Sequence, residues 1–124
     1  MVVDDNEIDL YVAQVVMTNY GFAEEVVCVP SAREALDYLK PLHEKPGELP
    51  HFIFLDINMP EMSGFDFLEE YKYLPDNIKK RCIVMMLTTS IDRDDRLKAE
   101  NNEFVTRFLN KPLDKDKLMA CITN

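Results

Sequence analysis

Short apolar runs and amphipathic stretches alternate along the whole chain, in strand–helix order. Val2-Val3 precede Asp4-Asp5 and read as the end of a first strand. Ile8, Tyr11, Val12, Val15, Val16 and Asn19 fall on helical spacing, and Gly21 closes that helix. Glu25 to Val29 reads as a second strand. Ser31-x-x-Glu34 is a capping-box pattern ahead of Ala32, Ala35, Leu36 and Leu39, which mark one helical face, and Pro41 ends it. Residues 42–50, with Pro46, Gly47 and Pro50, form a polar loop. His51-Phe52-Ile53-Phe54-Leu55-Asp56 is a continuously apolar strand ending in a carboxylate. A loop through Pro60 leads to Gly64 and a helix carrying Phe65 and Leu68. Cys82 to Thr88 is a second continuously apolar strand, ending in hydroxyls. The next helix, over roughly 92–101, is weakly amphipathic, with Leu97 and Ala99 its main apolar residues. Phe104 to Leu109 contains Arg107 and is placed at a sheet edge. Lys111-Pro112 ends it, and Asp114 can cap a last helix carrying Leu118 and Ile122.

Five strand–helix units whose central strands are apolar on both faces predict an α/β fold: a doubly wound, five-stranded parallel sheet with helices on both faces. The 124 residues suit one domain, 1–124, with no repeat or linker. No apolar run is long enough to span a membrane, and the first residues lack the basic-then-apolar pattern of a secretory signal. A net charge of −9 argues against direct contact with nucleic acid, whose phosphates would repel it. Cys28, Cys82 and Cys121 are widely spaced and lie in apolar runs. They read as reduced thiols rather than zinc ligands or disulfides, which fits a cytoplasmic protein.

Ligands of an open α/β sheet bind outside the carboxyl ends of the strands. Four proposed strands end in chemically useful residues: Asp4-Asp5, Asp56, Thr88 and Lys111. The fold would gather carboxylates, a hydroxyl and an ammonium at one edge. Crowded carboxylates need a cation, and Mg2+ is a hard ion that prefers oxygen and keeps waters beside one or two carboxylates. A carboxylate can also attack phosphorus to give an aspartyl phosphate, with the metal and Lys111 neutralising the transferring group and Thr88 donating to it. Taken singly, each residue has a plainer reading. Asp4 or Asp5 would cap the following helix, Asp56 would end a strand, Lys111 would be a solvated surface lysine, and Phe108 and the methionines would fill the core. Asp92-Arg93-Asp94-Asp95-Arg96 would be a solvated helix start.

Val3-Asp4-Asp5, Phe54-Leu55-Asp56-Ile57-Asn58-Met59-Pro60-x-Met62-x-Gly64, Leu87-Thr88 and Leu109-x-Lys111-Pro112 resemble the receiver domains of bacterial two-component response regulators, the chemotaxis-regulator type included. The likeness covers nearly the whole chain. It implies the flavodoxin-like strand order 2-1-3-4-5 and Asp56 as phosphoacceptor. Asp5 and Asp56 would bind Mg2+ directly, with the Asn58 main-chain carbonyl as a further ligand and Asp4 acting through water. Lys111 would pair with the phosphoryl group, and Thr88 and Phe108 match the family's switch hydroxyl and aromatic. Pro112 matches a proline whose preceding bond is cis. Departures are the short Met1-Val2-Val3, Ser63 where aspartate is common, Thr89 where a small residue is usual, and Asn102-Glu103 in place of Gly-Ala.

The expected function is a phosphorylation-dependent switch rather than a turnover enzyme. A histidine kinase or phosphotransfer protein would donate, and the surface of the fourth predicted helix, last strand and last helix would change for a downstream target protein. No membrane partner is expected, and the chain would be a monomer or weak dimer. A magnesium-dependent phosphohydrolase would carry D-x-D, but the second position here is Asn58, which cannot exchange a proton in that way. An interaction-only receiver would usually lack Asp56, Lys111 or the acidic pair. Nucleotide binding lacks any glycine-rich motif among Gly21, Gly47 and Gly64.

Overall fold

The computed structural model describes residues 1–123; Asn124 lies outside them. Five parallel strands form one sheet: β1 (Val2–Val3), β2 (Cys28–Val29), β3 (Phe52–Leu55), β4 (Ile83–Thr88) and β5 (Val105–Asn110). Their order is β2-β1-β3-β4-β5, as the resemblance implies. Six helices intervene: α1 (Glu7–Asn19), α2 (Ala32–Leu39), α3 (Gly64–Tyr71), α4 (Asp76–Arg81), α5 (Arg93–Glu100) and α6 (Lys115–Thr123). The chain runs from β1 outward to β2, then crosses back to β3. The switch point of a doubly wound sheet therefore falls between β1 and β3, where a crevice opens at the carboxyl ends.

Strand alternation divides the core between the two faces. Val3, Ile53, Leu55, Val84 and Met86 point to a face covered by α2, α3, α4 and α5 through Leu36, Leu39, Phe67, Tyr71, Ile78 and Ala99. Val2, Phe54, Met85 and Leu87 point the other way, against Ala13 and Met17 of α1 and Leu118 and Cys121 of α6. Met85 and Met86, adjacent in sequence, thus fill opposite cores, and both are fully buried. Continuous burial from Val84 to Thr88 is what a strand covered on both sides requires.

Four expectations are corrected. The buried face of α1 is Ala13 and Met17, with Leu10 and Val16 beside them, whereas Ile8 and Tyr11 are 73% and 67% exposed. The helix carries more apolar positions than one face can bury. The second strand shrinks from Glu25–Val29 to Cys28–Val29, because β1 offers only two residues to pair with. The loop at 42–50 contains two 3-10 turns, Lys40–Glu44 and Pro46–Glu48. Helix α4 is an addition: a single apolar residue, Ile78, leaves no period to read, although Pro75 ahead of it and Lys79-Lys80-Arg81 in its last turn are start and stop signals. The Ser31 and Asp114 caps, the left-handed Gly21 after α1 and the edge position of β5 stand as expected.

The β3–α3 loop is packed closely against the end of β3. Ser63 and Asp66 form a reciprocal capping box at the start of α3, so the serine that departs from the family pattern has a structural task. Gly64 donates to the Ile57 carbonyl at 2.8 Å and lies so close to β3 that a Cβ would come within 2.4 Å of the Asp56 carbonyl oxygen. That obstacle is backbone and cannot rotate away. Gly64→Ala is expected to destabilise the protein by about 1–3 kcal/mol through forced displacement of the loop, read as a lower urea midpoint with an unchanged slope.

Candidate phosphoacceptor site

Asp4 and Asp5 follow β1, Asp56 follows β3, Thr88 ends β4 and Lys111 follows β5, so the topology delivers all five to one edge. Main-chain bonds fix the strand ends, with the Asp56 N–H on the Val3 carbonyl at 3.0 Å and the Lys111 N–H on the Thr88 carbonyl at 2.8 Å. Carboxylate oxygens of Asp4, Asp5 and Asp56 lie within 4.8 Å of one another. Asp4 and Asp56 are buried and Asp5 is exposed, which gives the cluster an open side.

A main-chain N–H holds one oxygen of each buried carboxylate. Asp4 Oδ1 accepts from the Asn6 N–H at 2.9 Å, and Asp56 Oδ1 accepts from the Ile57 N–H at 2.8 Å. Burial pushes the Asp56 carboxyl above its ordinary 3.8. Lys111 opposes the shift, Asp4 reinforces it, and the Ile57 N–H and the Thr88 hydroxyl favour the ionised form. Thr88 is fully buried and accepts from the Ser90 N–H at 3.1 Å, leaving its own proton for Asp56.

Lys111 is the counter-charge. Its Nζ lies 2.5 Å from Asp4 Oδ2, 2.7 Å from Asp9 Oδ2 and 3.6 Å from Asp56 Oδ2. Burial alone would lower the ammonium pKa, but the hydrogen bonds to Asp4 and Asp9 and the charge on Asp56 outweigh it, so the group stands above 10.5 and stays protonated. The Lys111-Pro112 bond is cis, as the resemblance implies. Lys117 Nζ clamps the loop from the far side, donating to the Asn110 and Pro112 carbonyls at 2.7 and 2.8 Å.

The remaining predicted residues lie further out. Asn58 is exposed in the loop two residues past Asp56. Phe108 is on β5 opposite Met86 and packs against the α2–α5 core, with the Arg96 guanidinium 5.7 Å from its ring centre. It does not join the carboxylate cluster. Thr89 is exposed and, with Asp9, Val12, Lys111 and Pro112, lines an open recess of about 260 Å³. Asp9 is the residue that sequence reasoning missed. It reads as an acidic first-turn residue suited to the helix dipole, and nothing local points to a lysine 102 positions away. Asn110, whose side chain donates to the Ser90 carbonyl at 3.0 Å, was missed for the same reason.

This donor set suits Mg2+: hard carboxylate oxygens close together, one of them solvent-facing where waters can complete the coordination. Asp4, Asp5 and Asp56 are the side chains that would hold it. The ion would supply positive charge to a crowded anionic site.

Comparison with known proteins agrees with this arrangement. The family model described as the response regulator receiver domain matches residues 1–123. The chain is 32% identical over 124 residues to the probable methanogenesis regulatory protein FilR2 of Methanothrix harundinacea, covering 98% of this chain and 77% of that protein. It is 37% identical over 81 residues to histidine kinase 3 of Arabidopsis thaliana, covering 65% of this chain but only 7% of the kinase's length. Among solved structures, a two component response regulator from Cytophaga hutchinsonii superposes with a TM-score of 0.90 at 29% identity, covering 98% of this chain and 91% of that one. Receiver domains bind Mg2+ at an acidic pocket, act with histidine kinases or phosphotransfer proteins, and are typically signalling switches rather than turnover enzymes. The acidic crevice at the strand ends, the matched length and the shared fold lead to one conclusion: this chain belongs to the response regulator receiver domain family of two-component systems.

Proposed function

We propose that this protein is a phosphorylation-dependent switch that takes a phosphoryl group onto Asp56 in the presence of Mg2+. The observation that carries the reading is the meeting of three carboxylates, a hydroxyl and a protonated lysine at the carboxyl edge of one parallel sheet. The donor is a phosphohistidine on a histidine kinase or phosphotransfer protein. An Asp56 carboxylate oxygen attacks phosphorus, a new O–P bond forms, and the N–P bond breaks with its electron pair returning to the imidazole. Asp5, Asp56 and the Asn58 main-chain carbonyl would hold Mg2+, with Asp4 acting through water, and the ion would supply charge neutralisation. Lys111 binds a phosphoryl oxygen, and the Thr88 hydroxyl donates to another.

The output is a change of surface. Thr88 is tied to Ser90, Ser90 Oγ donates to Asp95 at 2.7 Å, and Asn110 holds the Ser90 carbonyl. Drawing the Thr88 hydroxyl toward a phosphoryl group therefore pulls on α5 and β5 together, and Phe108, under Arg96 of α5, repacks. The face formed by α5, β5 and α6 is then the one a target protein reads.

Three outcomes are expected. Intact mass after incubation with Mg2+ and a small phosphodonor gains one phosphoryl group, and the gain vanishes without metal or in Asp56→Asn. A folded, metal-binding sample that gains nothing sinks the proposal.

Asp56→Asn also raises the melting temperature of the metal-free protein at neutral pH, by about 4 °C for each kcal/mol of relief. The sign follows from linkage. A carboxyl raised above 3.8 by folding contributes its stability below that pH and loses it as pH rises through the folded pKa. The gap between variant and native protein therefore opens as pH rises from about 4 and closes in acid.

Amide chemical shifts across α5, β5 and α6 move when beryllium fluoride and Mg2+ mimic the phosphoryl group; unchanged shifts on that face exclude the switch.

A further inference from the structure

Asp9 stands outside the three-carboxylate cluster, on the first turn of α1, yet its Oδ2 takes a hydrogen bond from Lys111 at 2.7 Å. Three carboxylates face this ammonium: Asp4 and Asp9 as hydrogen-bond acceptors, and Asp56 at 3.6 Å, outside hydrogen-bonding range. An ammonium has three protons to give. The resting lysine thus commits two of them away from the acceptor.

The two partners differ in how easily they let go. The Asp4 side chain is 3% exposed, so its charge depends on protein partners, whereas that of Asp9 is 33% exposed and water can take over its solvation. We propose that Asp9 is a positioning residue that holds the Lys111 ammonium on the α1 side of the site and so weakens its grip on a phosphoryl group at Asp56. The proposal rests on Asp56 being the phosphoacceptor. Two effects act in the same direction. Each proton given to Asp9 is withheld from the phosphoryl oxygens, and the Asp9 charge opposes the added anion. The exposed partner is the one that yields when the group arrives, so Asp9 sets how tightly the phosphorylated state is held without touching the phosphoryl group.

The test is a titration with beryllium fluoride at saturating Mg2+ of the native protein, Asp9→Asn and Asp9→Glu, alongside Mg2+ titrations and urea unfolding of each. Asp9→Asn is expected to bind the mimic about threefold or more tightly, a ratio within reach of one partly exposed charge pair. Its Mg2+ affinity should be unchanged or lower, because a negative charge near the metal has been lost. Asp9→Glu, which restores the charge, should fall back toward native affinity. A merely structural role moves stability without this opposite response of mimic and metal. Equal or weaker binding of the mimic by Asp9→Asn overturns the proposal, as does tighter binding that Asp9→Glu shares. A native protein that binds Mg2+ but no mimic overturns the phosphoacceptor reading itself, which is a separate result.

Discussion

The pairing of one buried ammonium with the carboxylates at the strand ends is the interaction on which the site depends. Parallel topology forces β1 and β3 to release their carboxylates side by side into a buried site, and burial first, with repulsion from Asp4 adding to it, raises the pKa of Asp56. Lys111 arrives from the opposite end of the sequence, past β5, and offsets part of that cost through Asp4 and Asp9. Partial compensation matters. A fully neutralised site would have no appetite for a cation or a phosphoryl group, and an uncompensated one would destabilise the sheet that builds it. The five-stranded order, the clamp by Lys117 and the contact of Gly64 with the Asp56 backbone all hold these charges at fixed separations.

Legibility in the sequence followed the range of the forces involved. β3 and β4 were plain because strands buried on both faces must be continuously apolar, and their ends named Asp56 and Thr88 directly. The rule that ligands bind at carboxyl ends then gathered Asp4, Asp5 and Lys111 without any contact being known. What failed was information carried by a partner rather than by the segment itself. The second strand was drawn too long because its limit is the length of β1. The inward face of α1 was misjudged because apolar residues occur on more than one side of it, and only the sheet decides which side is buried. Helix α4 has one apolar residue and no period at all. Asp9 and Asn110 looked like ordinary polar residues because their partners are far along the chain.

The departures from the family pattern divide in the same way. Ser63 gains a physical account in the capping box with Asp66. Thr89 is exposed and lines the recess beside Asp9 and Lys111. A bulkier residue there narrows the approach to Lys111.

A chain of short contacts links the acceptor to the face proposed for output: Asp56 to Thr88, Thr88 to Ser90, then Ser90 to Asp95 of α5 and to Asn110 of β5. From Thr88 onward every link is a hydrogen bond, so moving one end leaves donors or acceptors unpaired unless the next link moves as well. That favours two arrangements over a continuum. Helix α5 is built to tolerate either. Only Ala99 of its residues is buried, and its charged residues other than the half-buried Asp95 are exposed, so little core packing is lost if it shifts. Arg96 is the element that makes the shift matter. It bonds Glu100 on its own helix at 3.1 Å while covering Phe108 of the sheet, so displacement of α5 uncovers an aromatic ring at the edge strand. Under the proposed function, a weakly buried helix above a half-buried edge strand would turn a charge change at Asp56 into a change of apolar surface, which is a form a protein partner can recognise.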